Sequence, residues 1–307
     1  MKTFLPLLAS VSRSFYWTIR VLPSGLRQPV GLAYLLARTA DTVADSATAS
    51  REDRLAALRQ IDEALLLGNM PPDLSGFAVS DPGEKALLER WGELWEQFQQ
   101  TEAQDYAEIV RVMRTILGGQ MLDLERAFLQ TAEELDDYTY RVAGCVGEFW
   151  TRLCLRHLPR YAPGVEEEKL IQWGISFGKG LQLVNILRDA PADLANGRCY
   201  LPTEWLGVCT PAPLRQGPAL TRPAYEISFW RAQSLLGDGR RYIEAIRPWR
   251  LRLACYLPWA LGIKTLQAMR RTPPFETPHR VKVSRREVKR LMLRGLVFSL
   301  RKSLPWS

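Results

Sequence analysis

The chain has 307 residues, 47% hydrophobic and 24% charged, a balance that suits a globular protein with a real core and excludes a disordered or fibrous chain. Its net charge of +8 is uneven: residues 264–307 hold twelve Lys and Arg against two Glu, so this stretch carries +10 and the remainder −2. Five cysteines (Cys145, Cys154, Cys199, Cys209, Cys255) with no C-x-x-C pair, and only two histidines (His157, His279), exclude a disulfide framework and a His/Cys zinc site and point to a reducing compartment.

Residues 1–10 lack the charged, apolar and cleavage regions of a signal peptide. No run nears the ~20 apolar residues of a spanning helix, so a cytoplasmic location is expected. Residues 26–45 place Val30, Ala33, Tyr34 and Ala37 at helical spacing, and Leu32, Leu35 and Leu36 widen that face. Residues 50–67 form an amphipathic helix with Leu55, Leu58, Ile61, Ala64 and Leu65 on one side. Pro71, Pro72, Ser75, Gly76, Pro82 and Gly83 mark a loop.

Residues 84–130 read as one long helix with at most one break, at Gly118-Gly119. A helix over 132–157 opens on Glu133, Glu134, Asp136 and Asp137, acids that suit a helix N-terminus, and Pro159 and Pro163 close it. Further helices are expected over 166–190, 224–245 and 251–270. They are separated by a turn at Asn196-Gly197 and Pro202 and by a loop over 211–218. The tail over 283–300 reads as a basic helix. No stretch alternates as a strand would, and no internal repeat appears. The fold class expected is all-α: a single-domain helical bundle around a central cavity.

Two D-x-x-x-D elements stand out, Asp41 with Asp45 and Asp189 with Asp193. Residues four apart share a helix face, so each pair projects two carboxylates the same way and repels itself by a few tenths of a kcal/mol. A divalent cation resolves that repulsion. Magnesium prefers carboxylates together with substrate phosphates, so two facing pairs would hold a metal cluster that grips a diphosphate.

A lone D-x-x-x-D also occurs on solvated helix faces. Here the first pair ends an apolar helix, and the second extends a polar stripe. Gln182, Asn185, Asp189 and Asp193 follow one another at spacings of three, four and four on a helix otherwise apolar or glycine-rich (Gly174, Gly178, Gly180). Such a stripe usually faces a site. Arg38 and Arg188 accompany the pairs, either to take phosphate oxygens bidentately or to neutralise the carboxylates. Pro191 lies inside the second pair, so this helix is expected to kink or end near Asp189, which leaves Asp193 the least secure ligand.

At these residues the sequence resembles the squalene/phytoene synthase family, the head-to-head prenyltransferases, over about residues 12–284. Ser12-Arg13-Ser14-Phe15 is similar to the family's S-R-S-F entry motif, and Tyr34 to Asp45 to its first aspartate helix. Tyr138-Thr139-Tyr140-Arg141-Val142-Ala143-Gly144 resembles the Y-x-x-x-V-A-G segment. Gln182 to Asp189 resembles the second aspartate helix, and Gly197-Arg198-Cys199-Tyr200-Leu201-Pro202 the G-R-x-Y-L-P turn after it.

The resemblance implies an isoprenoid-synthase bundle, with a catalytic domain over 1–275 followed by a basic segment over 276–307. It implies that two farnesyl diphosphates are condensed through presqualene diphosphate. The last cation is then quenched by hydride from NADPH, giving squalene, or by proton loss, giving dehydrosqualene or phytoene; an enzyme stopping at the intermediate is a further alternative. The ten Trp, ten Tyr and ten Phe suit a dry pocket for carbocations.

By the same resemblance Tyr138 is the catalytic tyrosine, where the residue alone would also suit a core. Asp41, Asp45, Asp189, Asp193 and Asn185 bind Mg²⁺, or Mn²⁺ in its place, with Arg188 catalytic. Ser12, Arg13, Phe15, Tyr34, Arg38, Gln182, Asn185 and Arg198 bind substrate. Arg13, Arg38, Arg188 and Lys282 carry the phosphates of NADPH. Two segments lean toward the reductive branch: Cys255 to Leu266, with its internal proline, and Val281-Lys282-Val283-Ser284-Arg285, which resembles a V-K-I-R-K segment.

Besides Pro191, two departures accompany the match: Ala44 stands where a third acid often occurs, and Ser284 replaces a basic residue. No G-x-G-x-x-G is present, so nicotinamide binding would not be of the Rossmann kind. The basic tail has two readings of equal standing: peripheral contact with an anionic membrane on its inner face, or a helix packed on the bundle with a solvated basic side. No nucleic-acid-binding motif accompanies it. A catalytically inactive assembly factor on the same fold is the alternative of another class.

Overall fold

The structure, a computed structural model, describes residues 4–12, 15–207, 222–276 and 280–301. Among these the regular elements are helices, and the one strand-like feature is an isolated bridge between Phe128 and Cys199. The chain divides into two compact units, Met1–Glu125 with Arg152–His157, and Arg126–Thr151 with Leu158–Ser307.

The first unit holds α1 (Leu5–Val11), α2 (Phe15–Val21), α3 (Ser24–Ala44), α4 (Arg51–Leu67), α5 (Pro82–Glu89), α6 (Trp91–Gln99) and α7 (Ala103–Glu125). Helix α3 forms where the apolar spacing predicts it, with Leu32, Leu35, Leu36 and Val43 essentially inaccessible. It packs on α4, α5, α6 and α7. Helix α4 starts at Ser50, whose Oγ accepts the Asp53 N–H at 3.0 Å, a cap worth about 1 kcal/mol. It ends at Gly68 in the left-handed region (φ 69°), which glycine enters without strain.

The single helix expected over 84–130 is three helices. Arg90 leaves helical geometry (φ −103°, ψ 16°), α6 stops at Gln99, and α7 opens after Glu102, whose carboxylate accepts the Gln104 and Asp105 N–H groups. Leu87, Leu88, Trp91, Leu94, Trp95 and Phe98 keep helical spacing across Arg90 and are all buried, so the apolar stripe hides the break. No break occurs at Gly118-Gly119, the one place where the sequence allowed it; α7 passes through, packed on α3 and α4, and ends at Glu125. Residues 152–157 join this unit through buried Asp105, which lies 2.9 Å from His157 Nε2 and 3.0 Å from Arg156 Nη2.

The second unit holds α8 (Ala132–Thr139), a π turn (Tyr140–Gly144), α9 (Cys145–His157, whose last six residues belong to the first unit), α10 (Glu167–Ala195), α11 (Thr203–Leu206), α12 (Arg222–Ala245), α13 (Trp249–Arg271), a 3-10 turn (Pro274–Glu276) and α14 (Arg285–Arg301). The helix expected over 132–157 is therefore interrupted by a π turn, a feature that propensity does not announce and that recurs at functional sites.

Helix α10 does not end near Asp189; it continues through Pro191 to Ala195. Proline removes one backbone donor, but Leu187, Ala190 and Leu194 are buried on both sides of it and hold the helix in place. The glycines of α10 have a packing role. A Cβ on Gly147 would run into the Gly174 carbonyl, one on Gly178 would run into the Ala143 carbonyl, and one on Gly174 would sit 2.5 Å from Thr151 Oγ1. The π turn and α9 thus meet α10 backbone to backbone. Tyr242 OH lies 2.8 Å from Thr151 Oγ1 and 2.9 Å from Tyr161 OH, tying α12 to the same seam.

The N-terminal helices α1 and α2, seven residues each, and the four-residue α11 have no counterpart in the sequence reading; they are too short for a period to emerge. Cys145, Cys154, Cys199 and Cys255 are buried, while Cys209 and the loop expected over 211–218 lie outside the described residues.

Candidate active site

In the first unit the last turn of α3 carries the first aspartate pair. Asp41 is half-buried, and Asp45, the C-cap residue, is exposed and donates its N–H to the Asp41 carbonyl at 2.9 Å. Gln120 of α7 donates from Nε2 to Asp41 Oδ1. Burial, with Asp45 and Glu84 adding repulsion, lifts the Asp41 carboxyl to about 6 against the pull of Arg38 and Gln120.

Arg38, one turn before Asp41, is ion-paired with Glu84 of α5, while its Nε is buried without a partner among the described residues. Tyr34 OH donates to the Val11 carbonyl at 3.2 Å. Ser12 is buried and its Oγ has no partner among the described residues. Arg13 lies outside the described residues; Phe15 opens α2, and its side chain is likewise outside them. The first unit also has a recess of about 660 Å³ near Leu74, Phe77, Leu88 and Trp91, which none of the expected site residues lines.

In the second unit Gln182, Asn185, Asp189 and Asp193 are half-buried along α10 while Leu183, Val184, Ile186 and Leu187 between them are buried, as the stripe predicts. Asn185 Nδ2 donates to Gln182 Oε1 at 3.4 Å. Asp189 is gripped by two guanidinium forks. Arg188 donates from Nε (3.0 Å) and Nη2 (2.6 Å), and Arg280 donates from Nε and Nη2, both at 2.6 Å. Burial pushes this carboxyl up, but the hydrogen bonds and charges of the two arginines outweigh it and hold it below the usual range.

Asp193 accepts the Arg198 N–H at its carbonyl, 2.8 Å away, and Arg198 Nη1 reaches Tyr200 OH at 3.4 Å. Tyr138 lies in the last turn of α8, buried, with its ring stacked on Tyr200 at 4.9 Å. Beside it in the π turn, Tyr140 donates to the buried Glu148 carboxylate at 2.7 Å. Lys282 is exposed in the segment before α14.

Sequence reasoning missed Gln120, Glu84, Arg280, Tyr200 and Glu148. Only Tyr200 lay in a quoted motif; the others come from elements with no motif of their own.

Among the described residues no group of three or more His, Cys, Asp or Glu converges as an all-protein metal cage does. Magnesium does not need one, because it keeps water and takes one or two carboxylates beside phosphate. The first pair suits a hard cation: Asp41 is poorly solvated among acids, and Gln120 Oε1 is a buried amide oxygen without a partner among the described residues. At the second pair both Asp189 oxygens are engaged by arginines, so a cation there competes with Arg188 and Arg280. For NADPH phosphates, Arg38 and Arg188 are engaged with carboxylates and Lys282 is exposed.

A sequence model of the squalene/phytoene synthase family matches residues 8–287. Squalene synthase ERG9 of Saccharomyces cerevisiae is 34% identical over 212 residues, covering 64% of this chain and 44% of that protein. The bifunctional lycopene cyclase/phytoene synthase of Pyrenophora tritici-repentis is 29% identical over 204 residues, covering 64% of this chain and 33% of that protein. The chain thus spans less than half the length of either relative. The complex of TcSQS with the ligand E5700 shares the fold, with a TM-score of 0.78 at 22% identity over 98% of this chain and 90% of that one. On the match over residues 8–287, this chain belongs to the squalene/phytoene synthase family.

Proposed function

We propose that the chain joins two farnesyl diphosphates head to head through presqualene diphosphate and reduces the product to squalene. One observation carries the reading: two D-x-x-x-D elements, on α3 and α10, each with an arginine within one turn. When bound, Mg²⁺ neutralises the diphosphate so that it leaves as an anion. Asp41 with Asp45, and Asp189 with Asp193 and Asn185, are the residues that would hold it. Arg38 and Arg188 exchange their carboxylate partners for phosphate oxygens, which guanidinium forks match in shape. Tyr138, stacked on Tyr200, presents a π face to a developing allylic cation and excludes water from it. Arg13, Arg38, Arg188 and Lys282 are the residues that would hold NADPH, which would supply the terminal hydride.

A second reading ends in proton loss instead of reduction and gives dehydrosqualene or phytoene. The phytoene synthase relatives favour it. Substrate and product are lipids, so peripheral attachment through the basic C-terminal segment would ease product release; among the described residues no helix is long and apolar enough to cross a membrane. The test is incubation with farnesyl diphosphate and Mg²⁺, with and without NADPH, with products read by mass. Squalene formed only with NADPH is expected. A C30 polyene formed either way moves the assignment to the non-reductive branch, presqualene diphosphate alone marks an enzyme stopping at the intermediate, and no release of diphosphate at all leaves an inactive assembly factor.

A further inference from the structure

Helix α14 is docked on the second unit by one face only. Leu291 and Ser299 are buried, and a Cβ on Gly295 would lie 2.5 Å from the Tyr256 ring. Arg252 of α13, itself 2% exposed, donates from Nη1 to the Ser299 carbonyl at 2.9 Å, and Lys264 pairs with Glu287 at 3.1 Å. The inner face is therefore fixed, and the helix's one acid is turned onto α13.

The outer face reverses the usual pattern of a surface helix, whose solvent side is polar. Met292, Leu293, Leu296, Val297 and Leu300 are 51, 65, 36, 43 and 42% exposed. Their spacing of i, i+1, i+4, i+5 and i+8 makes one stripe a little over two turns long at about 100° per residue. Arg285, Arg286 and Lys289, all exposed, continue the same side toward the N-terminus, and exposed Arg290 and Arg294 border it.

We infer that this face of α14 is a docking surface for an anionic lipid bilayer. The helix would lie in the interfacial plane, with the five apolar side chains among the acyl chains and the five basic ones at the headgroups. Charge decides against a second copy of the chain as the occupant. A two-fold contact would gather the five basic side chains of each copy around one apolar stripe, while the helix's own acid, Glu287, is turned onto α13. The inference sharpens the lipid-surface part of the proposed function but needs no turnover, so its failure and the failure of the catalytic reading are told apart.

The full-length protein is sedimented with vesicles of phosphatidylcholine alone and of phosphatidylcholine with phosphatidylglycerol, without substrate. Binding to the phosphatidylglycerol vesicles, at least about tenfold stronger than to the neutral ones and weakened by salt, is expected. The double substitution Leu293→Glu, Val297→Glu should lower that binding by about tenfold or more, with the melting curve and the gel-filtration volume unchanged. Absence of binding to the anionic vesicles, or equal binding by the double variant, overturns the inference. So does a wild-type dimer that the substitutions split, which would assign the face to a second copy, and so does tighter capture of a soluble acidic polypeptide than of the vesicles.

Discussion

The two aspartate elements have the same spacing and opposite electrostatics. On α3, Asp41 is crowded by Asp45 and Glu84, poorly solvated, and lifted to about 6. On α10, Asp189 is held by two arginines and lies below the ordinary carboxylate range. A spacing rule shows where two carboxylates share a face; it does not show what charge surrounds them. The first element is destabilised without a cation and gains from any that arrives, whereas the second is already neutralised and must exchange partners.

Activity gives the largest expected effect and tests what the elements share. Asp41→Ala and Asp189→Ala should each lower turnover of farnesyl diphosphate by about a thousandfold or more, ~4 kcal/mol in the barrier, with circular dichroism unchanged. Activity retained in either one removes the metal assignment for that element.

Stability should then separate them. Because the folded pKa of Asp41 is raised, its contribution is fully present below 3.8 and is lost as pH rises through about 6. Asp41→Asn should therefore stabilise the metal-free protein by on the order of 2 kcal/mol at pH 8 and by nothing measurable at pH 4, read by urea unfolding. For Asp189 the sign is opposite. Its lowered pKa contributes stability above 3.8 that is lost as pH falls through the folded value. Asp189→Asn should destabilise the protein at pH 8 by about 1 kcal/mol, since Arg280 is more than half exposed and screened. Two shifts of the same sign would erase the contrast.

The smallest effect concerns partner exchange. Arg280→Gln removes one fork from Asp189 and should tighten Mn²⁺ binding to the metal-free protein by about threefold to tenfold in a paramagnetic titration. Unchanged affinity would mean that Arg280 does not compete with the cation.

Much of this contrast was invisible in the sequence. The α3 helix, the α10 stripe and both carboxylate spacings follow from local periodicity, and they were legible. Glu84, Gln120 and Arg280, which set the charge around the aspartates, come from α5, α7 and the segment before α14, far along the chain and in no pattern with their partners. The splitting of 84–130 was hidden for the opposite reason: Leu87 through Phe98 keep one apolar period across a true break. Pro191 misled because a local penalty of one lost donor is outweighed by three buried neighbours. The π turn was unreadable because one extra residue per turn leaves composition untouched.

The bare seam at Gly147, Gly174 and Gly178 has a consequence for how variation can accumulate in this chain. At Gly147 and Gly178 an added Cβ would meet main chain alone, so there is no side chain to trim when something grows. Alanine at any of the three would have to prise the helices apart along their length, moving Asn185 and Asp189 away from the π turn that carries Tyr140. Substitutions there should behave as alleles that fail on warming, far more severe than their one added methyl group suggests.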